Sequence, residues 1–315
     1  MKRKAIILGI KGTKLTSDEK RLLKNACPWG IILFSRNIDN LFQLKTLITS
    51  IKKIVNDKYY PILIDQEGGL VSRLNKIINL DLFSQRYFAK IYKNDKVFFL
   101  KLYKSYIDKI CHILRNAGIN INTVPVLDVI SKRTNKMIGS RCFSSDPQIV
   151  SKLGNYCIHF YNKNKIATVV KHIPGHGLSK TDSHFKLPIA NVKKKKLLKN
   201  DFIPFKKCKS QFAMTAHIIY SVYDPIYAAT HSKIIINEVI RKYIGFNGIL
   251  ISDDISMKAL KYGLVHNAIK ALKAGCNLVM HCNVNIKEMQ KLIKIIPTVD
   301  KFTEKKTSQF TTFIG

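Results

Sequence analysis

The chain predicts a single-domain (β/α)8 TIM-type barrel spanning residues 1–315, and three observations predict it. Short apolar runs rich in Ile, Val and Leu recur at 5–10, 30–34, 60–64, 119–126, 166–170, 212–216, 248–251 and 277–280. Segments with apolar residues at helical spacing, at 17–26, 41–55, 97–117, 147–162, 193–207, 233–243, 265–274 and 286–295, alternate with them. No Pro-, Gly- or Ser-rich linker divides the 315 residues. Brief, continuously apolar runs suit strands buried on both faces. Their alternation with helices implies parallel pairing through right-handed crossovers, and eight such units close a barrel. An open doubly wound sheet is the alternative.

Taken in order, the runs end on polar residues. The first follows the basic start Lys2-Arg3-Lys4, which resembles a secretory leader, but it stops at Lys11 without a small-residue cleavage site and reads as a strand. Asp65 follows 62–64, Asp128 follows 124–127, Lys171 and His172 follow Val169-Val170, His217 follows 214–216, and Asp253 follows 250–252. The C-terminal ends of barrel strands form one face, so these scattered residues are expected to converge there. Asp commonly begins a turn after a strand, which explains some of them; it explains Lys and His less well.

Composition narrows the partners. With 46% hydrophobic residues the chain can bury a large core, and no apolar stretch approaches the ~18 residues of a membrane span. The formal charge of +34 would favour nucleic acid if concentrated, but the cations are mostly Lys, dispersed over the polar faces of helices, and no recognition motif accompanies them. Specific nucleic-acid binding and membrane binding are therefore not expected. Seven cysteines, odd in number and without a CxxC pair, mostly sit inside apolar runs, as reduced thiols of a cytoplasmic protein do. A monomer is expected.

The densest chemistry lies in Lys171-His172-Ile173-Pro174-Gly175-His176-Gly177 and on through Thr181-Asp182-Ser183-His184. Three histidines, two lysines and an aspartate share fourteen residues, and two glycines let the backbone turn towards a ligand. A second cluster is Asp253-Asp254. Asp254 is placed to cap the helix that follows, while Asp253, at the strand end, can attack an electrophilic carbon and form an ester intermediate. Cleavage of a glycosidic bond with retention needs such a nucleophile and a proton donor to the departing oxygen. His184 is the candidate donor, with Asp182 to fix its tautomer across a bent loop. A metal held by His172, His176, Asp182 and His184 is the competing reading, unsupported by a thiolate or by standard zinc spacing.

These motifs resemble glycoside hydrolase family 3, specifically the bacterial β-N-acetylglucosaminidases of peptidoglycan recycling. The likeness includes Gly30-Ile31-Ile32-Leu33-Phe34-Ser35-Arg36-Asn37, Ile64-Asp65-Gln66-Glu67-Gly68-Gly69, Ile138-Gly139-Ser140-Arg141 and Ile251-Ser252-Asp253-Asp254 in order, covering nearly the whole chain. The resemblance implies Asp253 as nucleophile, His184 as acid/base and Asp182 as its partner, with Asp65, Arg73, Arg141, Lys171 and His172 binding the terminal sugar. It implies no cofactor, no metal, and a muropeptide or small glycan as the substrate. Leu70, Ser72, Ser140 and Leu178 depart from the family pattern, which concerns the rim of the site. A phosphorylase of the same family and a non-catalytic basic binding protein are the alternatives.

Overall fold

In the computed structural model, residues 2–132, 134, 136–178, 187–206 and 208–315 are described, with backbone alone at 136 and 137. Eight apolar runs become β1 (Lys4–Gly9), β2 (Pro28–Leu33), β3 (Ile62–Ile64), β4 (Ile121–Asn122), β5 (Ala167–Ile173), β6 (Phe212–Thr215), β7 (Ile249–Asp254) and β8 (Leu278–His281). They close in chain order into a parallel barrel: Leu8 lies beside Ile31, Ile7 beside Met280, Val170 beside Ala213, and Ala213 beside Leu250. Nearly every strand residue is buried, because side chains of one parity fill the barrel and those of the other meet the helices.

Local signals set the helix ends. Asp95 accepts the N–H groups of Val97 and Phe98 to start the helix Lys96–Ala117, and Gly118, at φ 94°, ends it. A left-handed terminator of this kind suits glycine because a side chain would be strained there. The N-terminal mouth is closed by Trp29, Phe212 and Phe310, all buried and in edge-to-face contact, with Trp29 Nε1 donating to Thr307 Oγ1 at 2.8 Å. Phe310 comes from the helix Lys301–Ile314, which sequence periodicity does not announce, since only Thr303 and Phe310 of its residues are buried.

Other departures have visible causes. The run expected over 119–126 pairs as a ladder only at Ile121–Asn122: Pro125 lacks an N–H, and pairing with β5 resumes when Lys171 N–H donates to Pro125 O and Leu127 N–H donates to Lys171 O. The helix expected over 193–207 is instead Lys194–Lys199 followed by a tighter turn at Ile203–Phe205, with Pro204 at the break; residue 207 lies outside the described residues. The segment 233–243 is helical at Ile235–Tyr243 with wide turns, Ile244 N–H reaching back five residues to Val239 O. Helices at Gln85–Asn94 and Lys136–Arg141 add to the expected set. All seven cysteines are free thiols, five of them buried and two half-buried. No helix among the described residues is long and apolar enough to cross a membrane.

Candidate active site

At the C-terminal end of the barrel lies a cavity of about 210 Å³ lined by Asp65, Arg73, Arg141, Lys171, His172 and Asp253, among others. Six of the eight site residues expected from sequence therefore share one wall system, from the exits of β3, β5 and β7 and from the helix Lys136–Arg141. The remaining two, Asp182 and His184, lie outside the described residues. So do two of the four ligands in the competing metal reading.

Charges are paired around Lys171. Its ammonium, buried at the end of β5, lies 2.5 Å from Asp65 Oδ1, 2.6 Å from Glu67 Oε1 and 3.1 Å from Thr123 Oγ1. Arg73 donates to the other Asp65 oxygen at 2.7 Å, and Arg141 grips Glu67 with two parallel bonds of 2.6 and 2.8 Å. Burial pushes the Asp65 carboxyl up, but Lys171, Arg73 and Arg141 overcome it and hold the group well below the usual carboxylate range. Glu67 behaves likewise: burial raises it, and Arg141 and Lys171 bring it below normal. Sequence reasoning did not single out Glu67, which follows β3 in irregular chain and lies behind the residues that line the cavity.

The nucleophile candidate is held from both sides. Asp253 Oδ1 accepts the N–H of Asp254 at 2.8 Å, and Oδ2 faces His172 Nε2 at 3.9 Å. Burial raises its carboxyl, yet the imidazoles of His217 and His172 and the Asp254 N–H leave it below the ordinary value. An ionised carboxylate is the form that attacks carbon. His172 is oriented by Asp128, which is wholly buried, lies 2.8 Å from Nδ1, and accepts the backbone N–H groups of His172 and His176 at 3.2 and 2.7 Å. With Nδ1–H given to Asp128, the other ring nitrogen is presented to the cavity. Burial pushes His176 down to about 4, so its ring is neutral. Asp254 does not cap a helix, as expected from sequence. It accepts from Ser256 N and Oγ at 3.0 and 2.7 Å and from Cys282 N at 3.2 Å, fixing a turn and tying it to the residue after β8.

Two outcomes follow from this geometry. Asp65, Glu67, Asp128 and Asp253 all titrate lower in the folded chain than the ~4 of free carboxylates. The stability they add is therefore present above about pH 4 and is lost as pH falls through and below that value. Urea unfolding is expected to show stability falling as pH is lowered from about 4 to about 2; a flat profile there would contradict the pairing. The second concerns Gly177, where a Cβ would overlap the Val129 carbonyl. Gly177→Ala is expected to cost about 2–3 kcal/mol, the range of forced overpacking, and to lower activity by displacing the chain after Lys171 and His172. Thermal melting and turnover of the variant check both effects.

Similarity to characterised proteins follows the same residues. The description "Glycosyl hydrolase family 3 N terminal domain" matches residues 2–310. A β-hexosaminidase of Nitrosospira multiformis is 33% identical over 286 residues, covering 88% of this chain and 80% of that protein. Among solved structures, NagZ from Neisseria gonorrhoeae in complex with N-trifluoroacetyl-D-glucosamine superposes at a TM-score of 0.88 with 28% identity, covering 99% of this chain and 90% of that one. A glycoside hydrolase family 3 β-N-acetylglucosaminidase from Paenibacillus superposes at 0.87 with 25% identity; 98% of this chain is covered, and the match spans 60% of that longer protein. The chain belongs to glycosyl hydrolase family 3 and is a glycoside hydrolase built on a (β/α)8 barrel.

Proposed function

We propose that the chain is a retaining exo-β-N-acetylglucosaminidase of cell-wall recycling. It removes the non-reducing terminal β-1,4-linked N-acetylglucosamine from fragments in which that sugar precedes 1,6-anhydro-N-acetylmuramic acid, with or without peptide. The observation that carries the reading is Asp253 at the exit of β7, facing a cavity whose wall carries Asp65, Arg73, Arg141, Lys171 and His172. At about 210 Å³ the cavity falls below the ~300 Å³ at which sites for drug-sized ligands begin, which suits one sugar ring and exo action. The names of the relatives, β-hexosaminidase and β-N-acetylglucosaminidase, support the choice of sugar.

In this reading Asp65 accepts sugar hydroxyls, while Arg73, Arg141, Lys171 and His172 donate to ring substituents. A carboxylate oxygen of Asp253 bonds to the anomeric carbon as the glycosidic C–O bond breaks, and His184 gives its proton to the departing oxygen with Asp182 fixing its tautomer. Water then returns a proton to His184, attacks the same carbon and frees Asp253, so the anomeric configuration is retained. His184→Ala is expected to slow cleavage most for substrates with poor leaving groups, checked by comparing a chromogenic glycoside with the natural disaccharide. The enzyme works as a cytoplasmic monomer on small glycans, without cofactor, metal or nucleic acid.

Mass spectrometry of the products from an anhydro-muropeptide tests the function. Release of one free N-acetylhexosamine, unchanged by added phosphate, is expected. Formation of N-acetylglucosamine 1-phosphate would replace hydrolysis by phosphorolysis. A chromogenic N-acetylglucosaminide left uncleaved would favour a binding protein.

A further inference from the structure

Glu67 is the one carboxylate of the charge network that does not line the cavity, and its side chain is 2% exposed. It lies behind the wall, against a water-sized void of about 10 Å³ shared with Tyr103, Tyr106, Tyr161 and Cys157. From there it touches two cations that do line the cavity and that come from different parts of the fold: Lys171 from β5, at 2.6 Å, and Arg141 from the helix Lys136–Arg141, through two bonds. That helix is otherwise tied to the barrel by Gln85, which donates to Arg141 O at 2.8 Å. Glu67 thus fixes where two donors point.

It also sets the balance of charge. Among the described residues, the cavity wall carries three carboxylates, Asp65, Asp253 and Asp254, against three cations, Arg73, Arg141 and Lys171. Behind the wall Glu67 and Asp128 add two further carboxylates, and Arg141 and Lys171 hold Glu67 ionised. A glycoside-cleaving transition state resembles an oxocarbenium ion, so a site with excess negative charge favours it, whereas an anion entering the same site is repelled.

We propose that Glu67 is a positioning and charge-setting residue of the reaction. Without touching substrate, it holds Lys171 and Arg141 on the cavity wall and supplies the negative charge that tilts the site towards a cationic sugar and against anions. The proposal rests on the glycosidase reading given above. It distinguishes a residue that merely props up the wall from one whose charge acts at the anomeric centre.

Glu67→Gln keeps shape and removes charge; Glu67→Asp keeps charge and shortens the reach. Calorimetry on each purified protein measures binding of three probes: a cationic iminosugar shaped like N-acetylglucosamine, neutral N-acetylglucosamine, and inorganic phosphate. For Glu67→Gln the iminosugar is expected to weaken about tenfold and phosphate to tighten by a similar factor, as one unit charge within about 10 Å implies at an effective dielectric near 20. The neutral sugar changes least, and kcat falls more than KM rises. For Glu67→Asp the two charged probes keep their wild-type ratio while the neutral sugar weakens.

Parallel weakening of both charged probes in Glu67→Gln, or no change in either, overturns the proposal. Should Glu67→Gln fail to fold, a wild-type ratio in Glu67→Asp supports the charge role and an altered ratio refutes it. Binding needs no turnover, so the two readings separate: a wild-type protein that binds the iminosugar yet cleaves nothing loses the glycosidase assignment, and the probe pattern still decides the role of Glu67.

Discussion

Asp253→Ala is expected to abolish turnover, with kcat falling on the order of 10⁴- to 10⁶-fold, as removal of a nucleophile or its essential partner does in other covalent enzymes. The fold should survive. The only hydrogen bond the Asp253 side chain accepts among the described contacts is from Asp254 N–H, and the ties of Asp254 to Ser256 and Cys282 remain. Because its surroundings favour the ionised carboxylate, its removal should lower the melting temperature modestly at neutral pH without unfolding the chain. Azide should restore part of the activity by attacking the anomeric carbon from the face that Asp253 vacates, giving an α-glycosyl azide. Turnover at the original rate in Asp253→Ala would remove the assignment.

Lys171→Met should have the largest effect on stability. The wild-type ammonium sits between Asp65 and Glu67, and all three groups are nearly or wholly enclosed. Replacing it with an apolar chain of similar length leaves two carboxylates facing one another, with Arg73 and Arg141 as their remaining cations. Breaking a buried pair from one side costs about 3–5 kcal/mol, which lowers the melting temperature by about 5–8 °C in a protein of this size. The pH dependence identifies the cause. Without the ammonium the two carboxyls titrate higher than in wild type, so acid relieves the variant while it weakens the native chain, and the gap between their melting temperatures narrows as pH falls. A gap that stays constant from pH 7 to pH 4 would assign the loss to packing instead. Catalysis falls as well, because Lys171 lines the cavity.

The barrel was legible because each strand is a short apolar run ending in a polar residue, and the register of neighbours such as Val170 with Ala213 needs nothing more than that pattern. Asp65, Lys171, His172 and Asp253 were legible for the same reason, since the ends of parallel strands share a face. Arg73 and Arg141 were reached through family likeness; neither sits on a strand, and an exposed pattern does not distinguish them from the other cations of a chain carrying +34. Glu67 escaped because nothing in sequence says that a carboxylate between two glycines and a glutamine is buried. The Thr-rich helix Lys301–Ile314 escaped because one Phe310 and one Thr303 give it its buried face, too few for a helical period. Asp254 was read as a helix cap, and it caps instead a turn held to the next strand exit, a long-range contact that spacing does not encode.

The central claim is that the carboxylate of Asp253 becomes bonded to the anomeric carbon of the sugar. Incubation with a fluorinated N-acetylglucosaminyl fluoride, whose ring fluorine slows hydrolysis of the intermediate, followed by proteolysis and tandem mass spectrometry, measures this directly. The account predicts one added sugar per chain, located on the peptide that contains Asp253 and absent from Asp253→Ala. A sugar bound to another residue, or none together with an inverted product, would contradict it.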